Sequence, residues 1–183
     1  MTWLILGVLL WVGAHLFKRV LPKQREALGK WGRPLVAVVI VVSIVLMIIG
    51  YREAEDVPLY ALSNWAWYLN NLLMFVALFM MDIGRVNGVV RTKIRHPMLM
   101  GVAIWSASHL MVNGELTALV LFGGLGLWAL LEMAVINRAE GPWEVPAKGS
   151  ILSDGKIAVF AVALYALIAG IHYWLDRPAI VFL

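Results

Sequence analysis

The chain has 183 residues, 62% of them hydrophobic and only 14% charged, with a mean hydropathy of +0.86. Soluble domains are nearer to about half apolar and a quarter charged, so a soluble globular domain is excluded. The absence of cysteine also excludes disulfides, thiolate-ligated metals, a cysteine nucleophile and covalently attached haem.

Several stretches run for about 17 to 20 residues almost without charge, the length a hydrocarbon core demands. In lipid such runs satisfy their backbone only as helices, and the ten-residue alternation of barrel strands does not occur. The predicted fold is therefore all-α, a polytopic bundle of six transmembrane helices, with residues 1–183 as one membrane domain. The first span is Thr2–Val20. It has no basic residue before the apolar run and no small-x-small cleavage site, so it is expected to remain as an anchor. It carries Trp11-Val12-Gly13-Ala14-His15. Span two, Leu35–Tyr51, follows Pro34 and leads to the acidic Glu53, Glu55 and Asp56. Span three, Trp65–Met81, opens on interfacial aromatics and holds Asn70 and Asn71, amides suited to bonding between helices.

Span four, Pro97–Val112, is the shortest and carries Trp105-Ser106-Ala107-Ser108-His109. Asn113-Gly114-Glu115 reads as a tight turn that makes spans four and five (Leu116–Ile136) an antiparallel hairpin. Glu132 in span five is expected to pair with a loop arginine such as Arg138. A polar connection, Asn137–Lys156, precedes span six, Ile157–Leu175, beyond which Pro178 marks a stop. Of the Lys and Arg residues, six lie in Lys18–Arg33, four in Asp82–Pro97 and three in Asn137–Lys156, against only Arg52 and Arg177 on the other side. That asymmetry puts the first, third and fifth connections in the cytoplasm and both termini outside. It also accounts for the net charge of +4 and pI near 9.6 without a nucleic-acid partner.

Ionisable groups inside spans are costly and are the first functional candidates. All four histidines lie in or beside a span. His15 and His109 each follow a Trp at i–4, on the same helical face, with small residues between. An aromatic wall, small neighbours and an imidazole suit a helix that holds a flat macrocycle. At about 1.5 Å per residue the two histidines fall within several ångströms of the midplane, on opposite sides. Two axial imidazoles on one iron is one reading; hydrogen bonds from each imidazole to a carbonyl or Ser is the other. His96 and His172 are alternative ligands, although a helix cap or head-group contact suits His96 and an aromatic belt with Tyr173 and Trp174 suits His172. Among Arg91, Lys93 and Arg95, anchoring on anionic lipid competes with pairing to a ligand carboxylate, with Arg95 the leading candidate.

The run Arg95-His96-Pro97-Met98-Leu99-Met100-Gly101, then Trp105-x-x-x-His109, Asn113-Gly114-Glu115-Leu116 and Leu121-Phe122-Gly123-Gly124, resembles the NnrU family of bacterial membrane proteins. GVLLWVGAHLFKRVLP resembles that family's His-containing N-terminus. The family includes the haem b protein 15-cis-zeta-carotene isomerase, and the resemblance implies haem b ligated by His15 and His109, with Trp11, Trp105 and Arg95 around it. A cysteine proposed there as an alternative ligand is Ser106 here, which disfavours a thiolate switch. The resemblance also implies a bacterial inner membrane and nitrogen-oxide metabolism, with NO, a hydrophobic small molecule or a neighbouring membrane reductase as partner. Three classes follow: haem-assisted catalysis such as isomerisation, a non-catalytic accessory to a reductase, and, because R-H-P-x-x-x-G is similar to a signature of isoprenylcysteine or phospholipid methyltransferases, a membrane methyltransferase.

Overall fold

The protein is described by a computed structural model covering residues 1–175. Arg177 and Pro178, assigned above to the outer end of span six, lie outside the described residues. Seven helices organise the chain: α1 (Thr2–Val20), α2 (Pro22–Ala27), α3 (Gly32–Glu53), α4 (Trp65–Ile83), α5 (Pro97–Val112), α6 (Leu116–Glu140) and α7 (Ile151–Trp174). No regular strand occurs among the described residues. By length and composition α1, α3, α4, α6 and α7 are able to cross a membrane; α5, with 16 residues, is shorter. The all-helical apolar architecture is thus as expected, and α1, α4 and α5 begin where the sequence put them.

The connections differ from expectation. Lys18–Arg33 holds α2, entered through Pro22, and a 3₁₀ turn. The last helix begins six residues earlier than predicted, because Ser150 Oγ accepts from Leu152 N at 3.1 Å and caps a polar first turn. Asp154 in that turn is buried and accepts from the backbone N–H of Val89 and Val90 at 2.8 and 3.1 Å, tying α7 to the connection between α4 and α5.

Packing orders the long helices as α3–α1–α6–α5–α4–α7. The two closest pairs are α1 with α3 and α4 with α5, and small residues explain both. A Cβ on Gly50 would run into the backbone of Leu4, and one on Gly101 would lie 2.8 Å from Ala77 O. Ser108 Oγ, fully buried, donates to Asn70 Oδ1 at 2.7 Å, and Tyr165 OH donates to Asn71 Oδ1 at 3.2 Å. The paired amides do join helices, α4 to α5 and α4 to α7. The Asn113–Glu115 turn is held by the α3–α4 connection: Leu59 N and Tyr60 N donate to Gly114 O at 2.8 and 3.1 Å, and Leu116 N donates to Val57 O at 2.9 Å.

Candidate functional site

α6 packs against both α1 and α5, far more extensively than those two pack against each other. The contacts fix the directions. Val8 meets Gly124 and Trp11 meets Trp128, so α1 runs parallel to α6; Ser106 meets Gly126 and His109 meets Phe122, so α5 runs antiparallel. α1 and α5 are therefore antiparallel to each other, as the sequence predicts.

Each histidine is held in the same way. His15 Nδ1 lies 2.9 Å from Trp11 O and His109 Nδ1 lies 3.0 Å from Trp105 O. A carbonyl only accepts, so Nδ1 carries a proton in both rings, and it is Nε2 that offers a lone pair in the neutral imidazole. No hydrogen-bond partner for either Nε2 occurs among the described residues. A bond to the i–4 carbonyl tilts an imidazole toward its own helix N-terminus, so on antiparallel helices the two rings lean toward one another.

The aromatic walls are larger than the two pentads suggested. His15 sits 4.2 Å from the Trp11 ring and 4.7 Å from the Trp128 ring. His109 sits 4.8 Å from Trp105 and stacks on Phe122 at 4.3 Å and 22°. Phe122 and Trp128 are both buried on α6, and neither was singled out from the sequence; two aromatics in one span carry no sign of which neighbours they face. Six residues of α6 separate them, about 9 Å of rise, so the two imidazoles sit at different depths. Trp11 and Trp105 both pack against one apolar cluster, Leu4, Val8, Met47 and Leu125.

The small residues of the pentads do not open space beside the imidazoles. Gly13 and Ala14 line an apolar cleft of 240 Å³ between α1 and α3. Ser108 faces Asn70 on α4, and Ser106, buried without a hydrogen-bond partner, abuts Gly126 on α6. Residues one and two before a His point well away from its face, so Gly13, Ala14 and Ser108 serve other interfaces.

Below His15, one turn on, Arg19 binds Glu132 at 3.4 Å and Glu140 at 3.1 Å. Glu132 therefore pairs with Arg19 across the α1–α6 interface and not with Arg138, which stays exposed on the outside of α6. Arg95 donates to Gly141 O at 2.7 Å and stands 3.8 Å from Glu140, which commits it to the end of α6. His96 Nε2 lies 2.8 Å from Asn137 Oδ1, pinning the start of α5 to the same place. His172 Nδ1 donates to Ile168 O at 2.8 Å, the same i–4 carbonyl bond on α7.

A family model described as NnrU protein matches residues 3–178. The chain belongs to the NnrU family. The match takes in all six apolar helices and every histidine discussed above. Neither a curated protein nor a solved structure matches the chain.

The donor set can be tested against the group the family resemblance implies. Among the described residues no cluster of three or more His, Asp or Glu is disposed to hold a bare metal ion. A haem needs fewer protein ligands, because the macrocycle supplies four nitrogens and the protein only the axial positions. Two imidazoles with protonated Nδ1 and open Nε2, oriented by backbone carbonyls, are the chemistry such ligands require. The apolar cluster on which Trp11 and Trp105 both pack is the part a macrocycle would have to open.

Proposed function

We propose that this NnrU-family protein crosses a bacterial inner membrane six times, with both termini outside, and holds one haem b between α1 and α5 through His15 and His109, in the service of nitrogen-oxide metabolism. The observation that carries the haem reading is the matched pair of Nδ1–H···O=C bonds, at 2.9 and 3.0 Å, on antiparallel helices. The topology rests on the charge asymmetry of the connections. α5 serves as span four and completes the six: its 16 residues give about 24 Å of helix, and a small local thinning of the bilayer accommodates that shortfall.

His15 and His109 would hold the haem there, and it would supply a redox-active iron. The chain's own residues then have defined tasks. The Trp11 and Trp105 carbonyls hold the imidazole protons on Nδ1. Trp128 and Phe122 fix the ring planes by edge and face contacts. The cluster of Leu4, Val8, Met47 and Leu125 keeps water out and the local dielectric low, which would tune the redox potential.

Purified protein should show a Soret band, and His15→Ala and His109→Ala should each change or abolish it. A preparation that never shows the band when made with haem available, or a band indifferent to both substitutions, refutes the site. Reduced spectra with and without NO separate a nitrogen-oxide role from isomerisation. Binding of S-adenosylmethionine by haem-free protein would instead support a methyltransferase.

A further inference from the structure

A second cavity, of 480 Å³, opens at the end of the bundle that carries the basic connections. Its lining comes from four segments: Arg19 of α1, Arg95 and His96 at the start of α5, Glu140 of α6, and Trp143 and Glu144 of the α6–α7 connection. The four charged residues balance, two guanidinium groups against two carboxylates.

The arginines are positioned in advance. Arg19 is held by Glu132 and Glu140, and Arg95 by Gly141 O with Glu140 beside it, leaving their side chains 24% and 19% exposed. A guanidinium has five N–H donors, and these contacts use only some of them. The remaining donors are fixed in place, so little rotamer entropy is lost when they engage an anion. Glu144 has no salt-bridge partner among the described residues and is exposed. Trp143 beside it offers an indole face, which attracts ammonium groups.

A net anion would meet Glu140 and Glu144, and a net cation would meet Arg19 and Arg95. We propose that this cavity binds a zwitterionic group bearing both a phosphate and an amine, with the phosphate on Arg19 and Arg95 and the ammonium between Glu144 and Trp143. An amine-bearing phospholipid headgroup has this chemistry. The surroundings suit a lipid, since Ile136 lines the cavity, and Val145 in the same connection and Ile151 and Leu152 at the start of α7 stand exposed. The inference stands apart from haem binding, and its test needs no haem.

The intact protein, purified in detergent, is equilibrated with equal amounts of phosphatidylethanolamine and phosphatidylglycerol, and native mass spectrometry counts what each molecule retains. One saturable phosphatidylethanolamine is expected, preferred about tenfold over phosphatidylglycerol, the discrimination that one charge-assisted contact supplies. Glu144→Gln should remove the preference, and Arg95→Gln should weaken retention of both lipids about tenfold. Arg33→Gln, in a basic connection that does not line the cavity, should change neither. Thermal unfolding with free phosphoethanolamine separates the sources: stabilisation by the soluble compound identifies a soluble ligand of the same chemistry, and stabilisation by the lipid alone identifies the headgroup. Equal retention of both lipids by the natural protein, or a loss in Arg33→Gln matching that in Arg95→Gln, would overturn the proposal. So would a preference that survives Glu144→Gln, which folds independently of the Arg19–Glu132–Glu140 network.

Discussion

Removing either member of the Arg19–Glu132 pair should have unequal consequences, and the structure gives their size. Glu132 has 8% of its side chain exposed and one cation within 4 Å, whereas Arg19 is 24% exposed and also holds Glu140 at 3.1 Å. Arg19→Met therefore strands a carboxylate inside the bundle, a loss of about 3–5 kcal/mol. Glu132→Gln keeps the shape, leaves Arg19 its second carboxylate, and should cost about 1 kcal/mol. The double variant no longer contains a stranded charge, so it should be more stable than the sum of the single losses implies, by about 2 kcal/mol. Denaturant titration in detergent micelles, followed by helical circular dichroism, measures all four proteins. Arg138→Gln, at the partner the sequence suggested, serves as a control and should stay within about 0.5 kcal/mol of the parent. Strict additivity of the two substitutions, or a larger loss from Glu132→Gln than from Arg19→Met, would refute the account.

Gly50→Leu should wedge α1 from α3, since even a Cβ meets Leu4 backbone; a loss of about 1–3 kcal/mol is expected in the same titration. Ser108→Ala removes the 2.7 Å bond to Asn70 between α4 and α5 and should cost about 0.6 kcal/mol, the average for such bonds between membrane helices, and no more than about 1.7. The chain has no cysteine, so single cysteines report topology without background. A membrane-impermeant maleimide applied to intact spheroplasts should label Glu55→Cys and leave Lys23→Cys unlabelled until the membrane is opened; the reverse pattern would overturn the orientation.

Hydropathy made the helices legible because a bilayer imposes a length and forbids charge. Chemistry specific to one residue type marked α5, whose Pro97 opens the helix. The start of α7 was hidden because Ser153, Asp154, Gly155 and Lys156 look like loop. The cap at Ser150 and the acidic Asp154 in the first turn were the available signal. Packing order was illegible for a different reason. Lipid and helix interior are equally apolar, so no hydrophobic face points inward and small residues do the pairing. That is why the histidines could be picked out but their neighbours Phe122 and Trp128 could not, and why Glu132 was given to Arg138 in place of Arg19. The i–4 carbonyl bonds were foreseeable from the helix alone, since the carbonyl four residues before any His lies within reach of Nδ1, as Ile168 O does for His172.

The aim of Phe122 depends on a local irregularity in α6. Residues Leu119–Gly123 form a π turn, which carries one more residue per turn than the helix on either side. The start of α6 is fixed from outside by Leu116 N on Val57 O and Thr117 Oγ on Asp56 Oδ1. Its later turns are fixed by Gly124 against Val8 and Gly126 against Ser106. The extra residue reconciles the two anchors and leaves Phe122 facing His109, with Trp128 turned toward His15. Deleting Val120 forces a choice: either the outer bonds break, or the segment before Gly124 rotates by about 100°. Either outcome disturbs the Phe122–His109 stack, so the deletion should cost at least as much as Phe122→Ala, about 3 kcal/mol. In haem-loaded protein it should also shift the absorption band that depends on His109. A deletion variant more stable than Phe122→Ala, with an unshifted band, would show that the π turn aims nothing.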